Sequence, residues 1–214
     1  MQYMLQIKNL TLTHKKDLRE ILSDFSCVFN NGDKAVVIGE EGNGKSTLLK
    51  WIYHPELIEE YCDAEGERLI SGEVLGYLAQ ELPKEDQQKS VYEFFSEQES
   101  FWNQTPKELN QTAIKFHIAP DFFYREQQMS TLSGGEKVKA QLMRILFAEP
   151  TVLLLDEPSN DIDIETLETL EELILSWDKI AIYISHDETL IERTANKIIH
   201  IEQIRRKTKN RFCI

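Results

Sequence analysis

Several things are scarce in this 214-residue chain, and each scarcity excludes something. There are three cysteines, Cys27, Cys62 and Cys213, odd in number and far apart. That spacing fits neither a disulfide framework nor a metal knuckle, and suits ordinary thiols in a reducing cytoplasm. No apolar run approaches the roughly 20 residues that cross a bilayer. The longest, such as Ala35-Val36-Val37-Ile38 and Val152-Leu153-Leu154-Leu155, have the length of buried strands. The start, Met1 to Lys8, lacks a basic segment followed by an apolar core, so no secretory leader is expected. Positive charge is also short: the formal net charge is −13, which argues against broad nucleic-acid binding by the surface. The tail Arg205-Arg206-Lys207-Thr208-Lys209-Asn210-Arg211 reverses that trend, and both a solvated tail and a local nucleic-acid contact fit it. Internal repeats and low-complexity segments are absent.

What is present reads as one α/β unit. Tyr3–Ile7 and Phe25–Phe29 are expected strands, separated by a charged loop at Lys15-Lys16-Asp17. Lys34–Ile38 is a short apolar strand that runs into a glycine-rich loop, with a helix over Ser46–Tyr53. A loop is expected after Tyr53, then a strand over Glu73–Ala79. Residues 83–130 turn polar, Gln/Glu-rich and helical, and predict a small inserted helical subdomain. Thr105-Pro106-Lys107-Glu108 has the residues of a helix start: a capping Thr, Pro in the first turn and Glu three positions on. After it, helix and strand alternate: Glu136–Phe147, Thr151–Leu155, Ile164–Trp177 and Lys179–Ser185. Such alternation predicts a mostly parallel sheet with helices on its faces.

The glycine-rich loop carries the first chemistry. It reads Gly39-Glu40-Glu41-Gly42-Asn43-Gly44-Lys45-Ser46-Thr47 between a strand and a helix, the context a P-loop needs. Its glycines let backbone N–H groups turn toward phosphate oxygens, and the helix N-terminus adds positive potential. Lys45 offers a cation to the β- and γ-phosphates of ATP, and the Ser46 hydroxyl is placed to ligate Mg²⁺. Glu40 and Glu41 oppose a triphosphate unless they face solvent. Asp156 and Glu157 end an apolar strand, where a carboxylate pair sits beside a P-loop at the sheet's C-terminal edge. Asp156 is then a candidate for holding Mg²⁺, and Glu157 a candidate general base. Leu132-Ser133-Gly134-Gly135-Glu136 opens a helix. A hydroxyl, bare glycine N–H groups and a helix N-terminus make a second anion site there.

These motifs, with Gln80 and with Ser185-His186-Asp187, stand in one order along nearly the whole chain. In that order they resemble the ATP-binding-cassette (ABC) ATPase domain. The resemblance implies a P-loop NTPase core with an N-terminal antiparallel β subdomain and the inserted helical subdomain. It implies that Gln80 touches Mg²⁺ and the attacking water, and that His186 contacts the γ-phosphate. His14 falls where the family stacks an aromatic residue on adenine. His54, His117 and His200 match no motif, and Trp51, Trp102 and Trp177 are expected to be packing residues. The resemblance also implies pairing: Ser133, Gly134 and Gly135 would cap the nucleotide held by the P-loop of a second cassette. That partner is either another copy or the second half of a tandem protein.

Within the ABC proteins, Glu157-Pro158-Ser159-Asn160-Asp161-Ile162-Asp163 carries Asn where transport ATPases usually have a small residue. This resembles the ABC-F group, above all the first cassette of its antibiotic-resistance branch, which implies a soluble ATPase acting on the ribosome. The stretch from Tyr53 to Gly72 is too short for the arm of some ABC-F translation factors. Residues 203–214 would begin a linker or tail. An ATP-binding subunit that docks on a transmembrane transporter partner is the alternative, again without insertion of this chain in the membrane. A DNA-repair type ABC ATPase would need a long coiled-coil insertion, and no heptad run of that size occurs.

Overall fold

A computed structural model describes residues 4–70 and 72–202. The basic tail and the expected linker at 203–214 lie outside the described residues. The chain opens with two long strands, β1 (Met4–His14) and β2 (Glu20–Asn30), paired antiparallel. Then come β3 (Lys34–Ile38), α1 (Lys45–Tyr53), β4 (Cys62–Ile70) and β5 (Leu75–Leu78). Four short helices follow: α2 (Lys84–Gln87), α3 (Val91–Ser96), α4 (Glu99–Trp102) and α5 (Pro106–Lys115). The remainder alternates: α6 (Gly134–Phe147), β6 (Val152–Asp156), α7 (Ile164–Ser176), β7 (Ile180–Ile184), α8 (Glu188–Thr194) and β8 (Lys197–His200).

Two sheets result. A parallel five-stranded sheet has the order β5-β6-β7-β3-β8, and an antiparallel three-stranded sheet the order β2-β1-β4. β6 and β7 sit inside the parallel sheet and are buried at every residue. That is why they read as continuous apolar runs rather than as alternation. The helical region packs on the opposite side of the parallel sheet from β1. Phe94, Phe95, Phe122 and Phe123 share one core with Leu153, Leu155 and Tyr183, while Leu5, Leu10 and Phe29 share the other with Val37 and Leu154.

The helix starts expected from residue type form as expected. Thr105 and Ser133 each accept from the backbone N–H three residues on, and Glu108 and Glu136 return the bond. Some elements exceed their sequence signals. β4 occupies part of the expected loop, because Asp63, Ala64, Glu65, Gly66 and Glu67 are all exposed and offer no apolar alternation. Backbone pairing to β1 makes it a strand, from Leu5 opposite Ile70 to His14 opposite Cys62. Gly66 sits where the β1 register slips. A Cβ there would lie 2.7 Å from the Leu10 Cα, so the crossing needs glycine. β1 and β2 likewise run further than their apolar cores. Of the tryptophans, Trp51 is buried and Trp177 packs against the core, but Trp102 stands 61% exposed. Its ring meets Phe101 edge-on and its indole N–H donates to the Ser96 carbonyl at 2.8 Å.

Candidate functional site

The glycine-rich loop links β3 to α1 at the C-terminal edge of the parallel sheet, where β6 delivers Asp156. Gly42 and Gly44 have positive φ, and Gly44 is the left-handed N-cap of α1. Among the described residues no side chain caps that helix, which leaves its first N–H groups uncapped. Gly39 is required for another reason: a Cβ there would lie 2.4 Å from the carbonyl oxygen of Ile201, just after β8. The Asn43 amide donates to the same carbonyl at 3.2 Å. The last strand thus fixes the loop from the side.

Lys45 is 5% exposed and donates to the Gly39 and Glu40 carbonyls at 2.8 and 3.0 Å. Its ammonium is held inside the loop's own curve. Glu40 and Glu41 are exposed, so their charges are screened by water. Ser46 Oγ donates to Asp156 Oδ1 at 2.9 Å, and Tyr77 Oη donates to Oδ2 at 3.1 Å. Asp156 is 1% exposed. Burial pushes its carboxyl above the usual range, and the bonds from Ser46 and Tyr77 oppose that shift.

Glu157 follows with φ +50°, in the left-handed region, which turns its side chain off the strand line. Gln80 donates to Glu157 Oε2 at 3.2 Å, and the Asn160 amide donates to the same oxygen. The other oxygen faces His186, whose Nε2 lies 3.8 Å away. His186 follows β7, where Ser185 Oγ bonds Ser159 Oγ at 3.1 Å and accepts the Asp187 N–H at 3.0 Å. Strand ends therefore bring Gln80, Asp156, Glu157 and His186 together with the P-loop.

A cleft of about 470 Å³ opens beside the P-loop, and Asp156 and His186 are not among the residues that line it. Gly42, Gly44, Lys45, Ser46, Thr47, Gln80 and Glu157 line it, and Glu41 edges it. His14 lines its far side, its Nδ1 bonded to Asp17 at 3.0 Å. Three lining residues carried no sequence signal: Arg19, Ile21 and Tyr61. Arg19 and Ile21 belong to the β1–β2 hairpin. Tyr61 sits between α1 and β4, and burial pushes its phenol up. Asn160 stands in the sequence as a family marker, whereas its bond to Glu157 exists only once the turn after β6 has folded.

Ser133, Gly134 and Gly135 do not line this cleft. Ser133 is exposed at the start of α6, its hydroxyl engaged with Glu136. Gly134 presses against the turn that leaves Glu157, and Gly135 against the first turn of α7. A Cβ on Gly134 would lie 2.2 Å from the Asp161 carbonyl oxygen, and one on Gly135 would lie 2.4 Å from Thr166 Oγ1.

A P-loop, a strand-end acidic pair and a separate glycine-fronted helix, on a parallel sheet flanked by an antiparallel one, together define the nucleotide-binding domain of ABC ATPases. The chain belongs to the ABC transporter family, whose model matches residues 22–160. It is similar to the ATP-binding protein Uup of Escherichia coli, 33% identical over 187 residues, covering 84% of this chain and 28% of the relative. It is similar also to the energy-dependent translational throttle protein EttA of Haemophilus influenzae, at 31% over 92% of this chain and 34% of the relative. The ribosome protection protein VmlR of Bacillus subtilis is 30% identical over 90% of this chain and 33% of its own length. All three are ABC-F proteins, as the Asn160 motif implied. The chain spans about a third of the length of these curated relatives. Among solved structures, a bacterial Atm1-family ABC exporter with ATP bound superposes with TM-score 0.72 at 20% identity, over 94% of this chain and 37% of the other. An inward-facing metal-chelate-type ABC transporter gives 0.70 at 19%, over 93% and 80%. These share the cassette fold. ABC cassettes are ATPases that bind ATP with Mg²⁺. Among the described residues, no helix is long and apolar enough to cross a membrane.

Proposed function

We propose that residues 1–214 form one ABC cassette that binds and hydrolyses Mg-ATP in this cleft, works as a pair, and belongs to an ABC-F protein acting on the ribosome in the cytoplasm. The observation that carries the catalytic part is Glu157 pinned through one oxygen by Gln80 and Asn160, with the other free beside His186. In this reading the N–H groups of Gly39 to Thr47 bind the phosphates, and Lys45 leaves the Gly39 and Glu40 carbonyls for the β- and γ-oxygens. Ser46, which lines the cleft, and the buried Asp156 behind it suit Mg²⁺, since both present hard oxygen atoms, 2.9 Å apart. Asp156 would act through water, and Gln80 would join the same shell. Bound Mg²⁺ neutralises charge on the transferring phosphoryl group. The free oxygen of Glu157 takes the proton of the attacking water, and the His186 imidazole contacts the γ-phosphate. His14 stacks on adenine, while Arg19, Ile21 and Tyr61 wall the same end.

Ser133, Gly134 and Gly135 lie off the cleft, which supports their use on a partner's nucleotide. That partner is a second cassette, either another copy or the other half of a longer protein. The ribosomal role rests on the ABC-F relatives and on Asn160. The transporter-subunit alternative has behind it only the fold shared with transporter cassettes. The two separate by fractionation. With a tag on the natural gene product and Glu157→Gln installed, ATP is expected to bring the protein down with ribosomes through a sucrose cushion. Recovery with a membrane fraction, and none with ribosomes, would establish the transporter reading instead.

A further inference from the structure

Asp156 is held by two hydroxyls, one on each oxygen, and only one of them has a part in the proposed mechanism. Ser46 bonds Oδ1 and is the group that turns to the metal ion. The second donor is the phenol of Tyr77, 3.1 Å from Oδ2. Tyr77 lies on β5, whose pairing with β6 sets Tyr77 beside Leu154 and Leu78 beside Leu155, next to Asp156. Its ring stacks on Tyr53, the last residue of α1, at 5.1 Å between centroids and 26° between planes. The carbonyls of Trp51, Ile52 and Tyr53 are in turn gathered by the Arg68 guanidinium from β4. The phenol is therefore fixed from three sides.

From this geometry we infer that Tyr77 is the positioning residue for the metal site: its hydroxyl anchors Asp156 Oδ2, so that Oδ1 stays aimed at the place of Mg²⁺ after Ser46 has left it. This rests on the reading of Ser46 and Asp156 as the metal's residues. The physical reason is loss of restraint. Once Ser46 Oγ is given up, Tyr77 is the remaining hydroxyl on a carboxylate that is 1% exposed. Without it the carboxylate rotates, and a buried acceptor is left unpaired. Outer-shell donors of this kind typically change metal affinity by about 10–100-fold when removed. Tyr77 is also three residues from Gln80 on the same strand exit.

The test is Tyr77→Phe, with Tyr53→Phe beside it. The second variant keeps the ring stack and removes a hydroxyl that does not bond Asp156. ATP binding is followed by calorimetry in EDTA and over a Mg²⁺ series. Both variants are expected to bind ATP in EDTA within about twofold of wild type, because backbone capture of phosphate is untouched. The Mg²⁺ concentration for half of the affinity gain should rise about tenfold or more in Tyr77→Phe, and not in Tyr53→Phe. Equal shifts in both variants would make the tyrosines a packing pair and overturn the inference, as would a wild-type Mg²⁺ response in Tyr77→Phe. A wild-type chain whose ATP binding gains nothing from Mg²⁺ would overturn the metal reading itself and this inference with it.

Discussion

Glu157→Gln should leave ATP binding intact and reduce hydrolysis by about 10²–10⁴-fold, the usual contribution of a positioned general base. The substitution is nearly isosteric. The amide can still accept through its oxygen from Gln80 and Asn160, so the side chain keeps its place. What it loses is the basic oxygen that faces His186 across 3.8 Å. The expected signature is a fall in kcat with little change in ATP affinity, since the interaction removed is one made to the attacking water. A steady-state assay with phosphate detection, beside calorimetry for ATP, separates the two. Wild-type turnover in this variant would place the base elsewhere, and weakened ATP binding would mean that Glu157 serves the ground state.

The second large effect is expected from a mixture. Lys45→Ala removes the cation of the P-loop. Ser133→Arg places a bulky charge at the start of α6, on the surface proposed to cap a partner's nucleotide. Each variant alone should be close to inactive, because every pair it forms has two defective sites. In a mixed pair, one site combines the intact P-loop of one chain with the intact Ser133 of the other. Random pairing puts about half of the pairs in mixed form, each with one working site, so roughly a quarter of wild-type activity is expected from the arithmetic of pairing. Activity per wild-type chain should also rise with protein concentration. No recovery on mixing, together with constant activity per chain on dilution, would show a chain that hydrolyses ATP alone.

How much of this was legible in the sequence depends on where each signal is stored. Gly39 to Thr47 was readable because phosphate capture constrains residue type at consecutive positions. Asp156 and Glu157 were readable because an apolar strand that ends in two carboxylates is unusual by itself. The helix start at Thr105 was readable because a capping Thr with Glu three residues on is local chemistry, and the start at Ser133 because a hydroxyl and two glycines stand together there. β4 was not, because nothing in Asp63 to Glu67 alternates, and its strand state is dictated by β1. α8 and β8 escaped too: α8 has only two buried residues, and β8 is four residues long with one of them buried. In the cleft, Arg19, Ile21 and Tyr61 are brought in by the antiparallel sheet and the turn before β4. Such contacts exist only after folding. The grip of Asn160 on Glu157 is of the same kind, since it depends on the left-handed turn at Glu157.

Binding of Mg-ATP to the purified wild-type chain and to Lys45→Ala, compared by calorimetry, tests the central claim most directly. Lys45 sits in the curve of the loop with its ammonium on two backbone carbonyls, at 2.8 and 3.0 Å. A charged hydrogen bond to phosphate contributes about 1.5–3 kcal/mol, so the variant should bind ATP roughly 10–100-fold more weakly with its fold unchanged. Equal affinity in the two proteins, or no binding of Mg-ATP by the wild type, would contradict the assignment of this cleft.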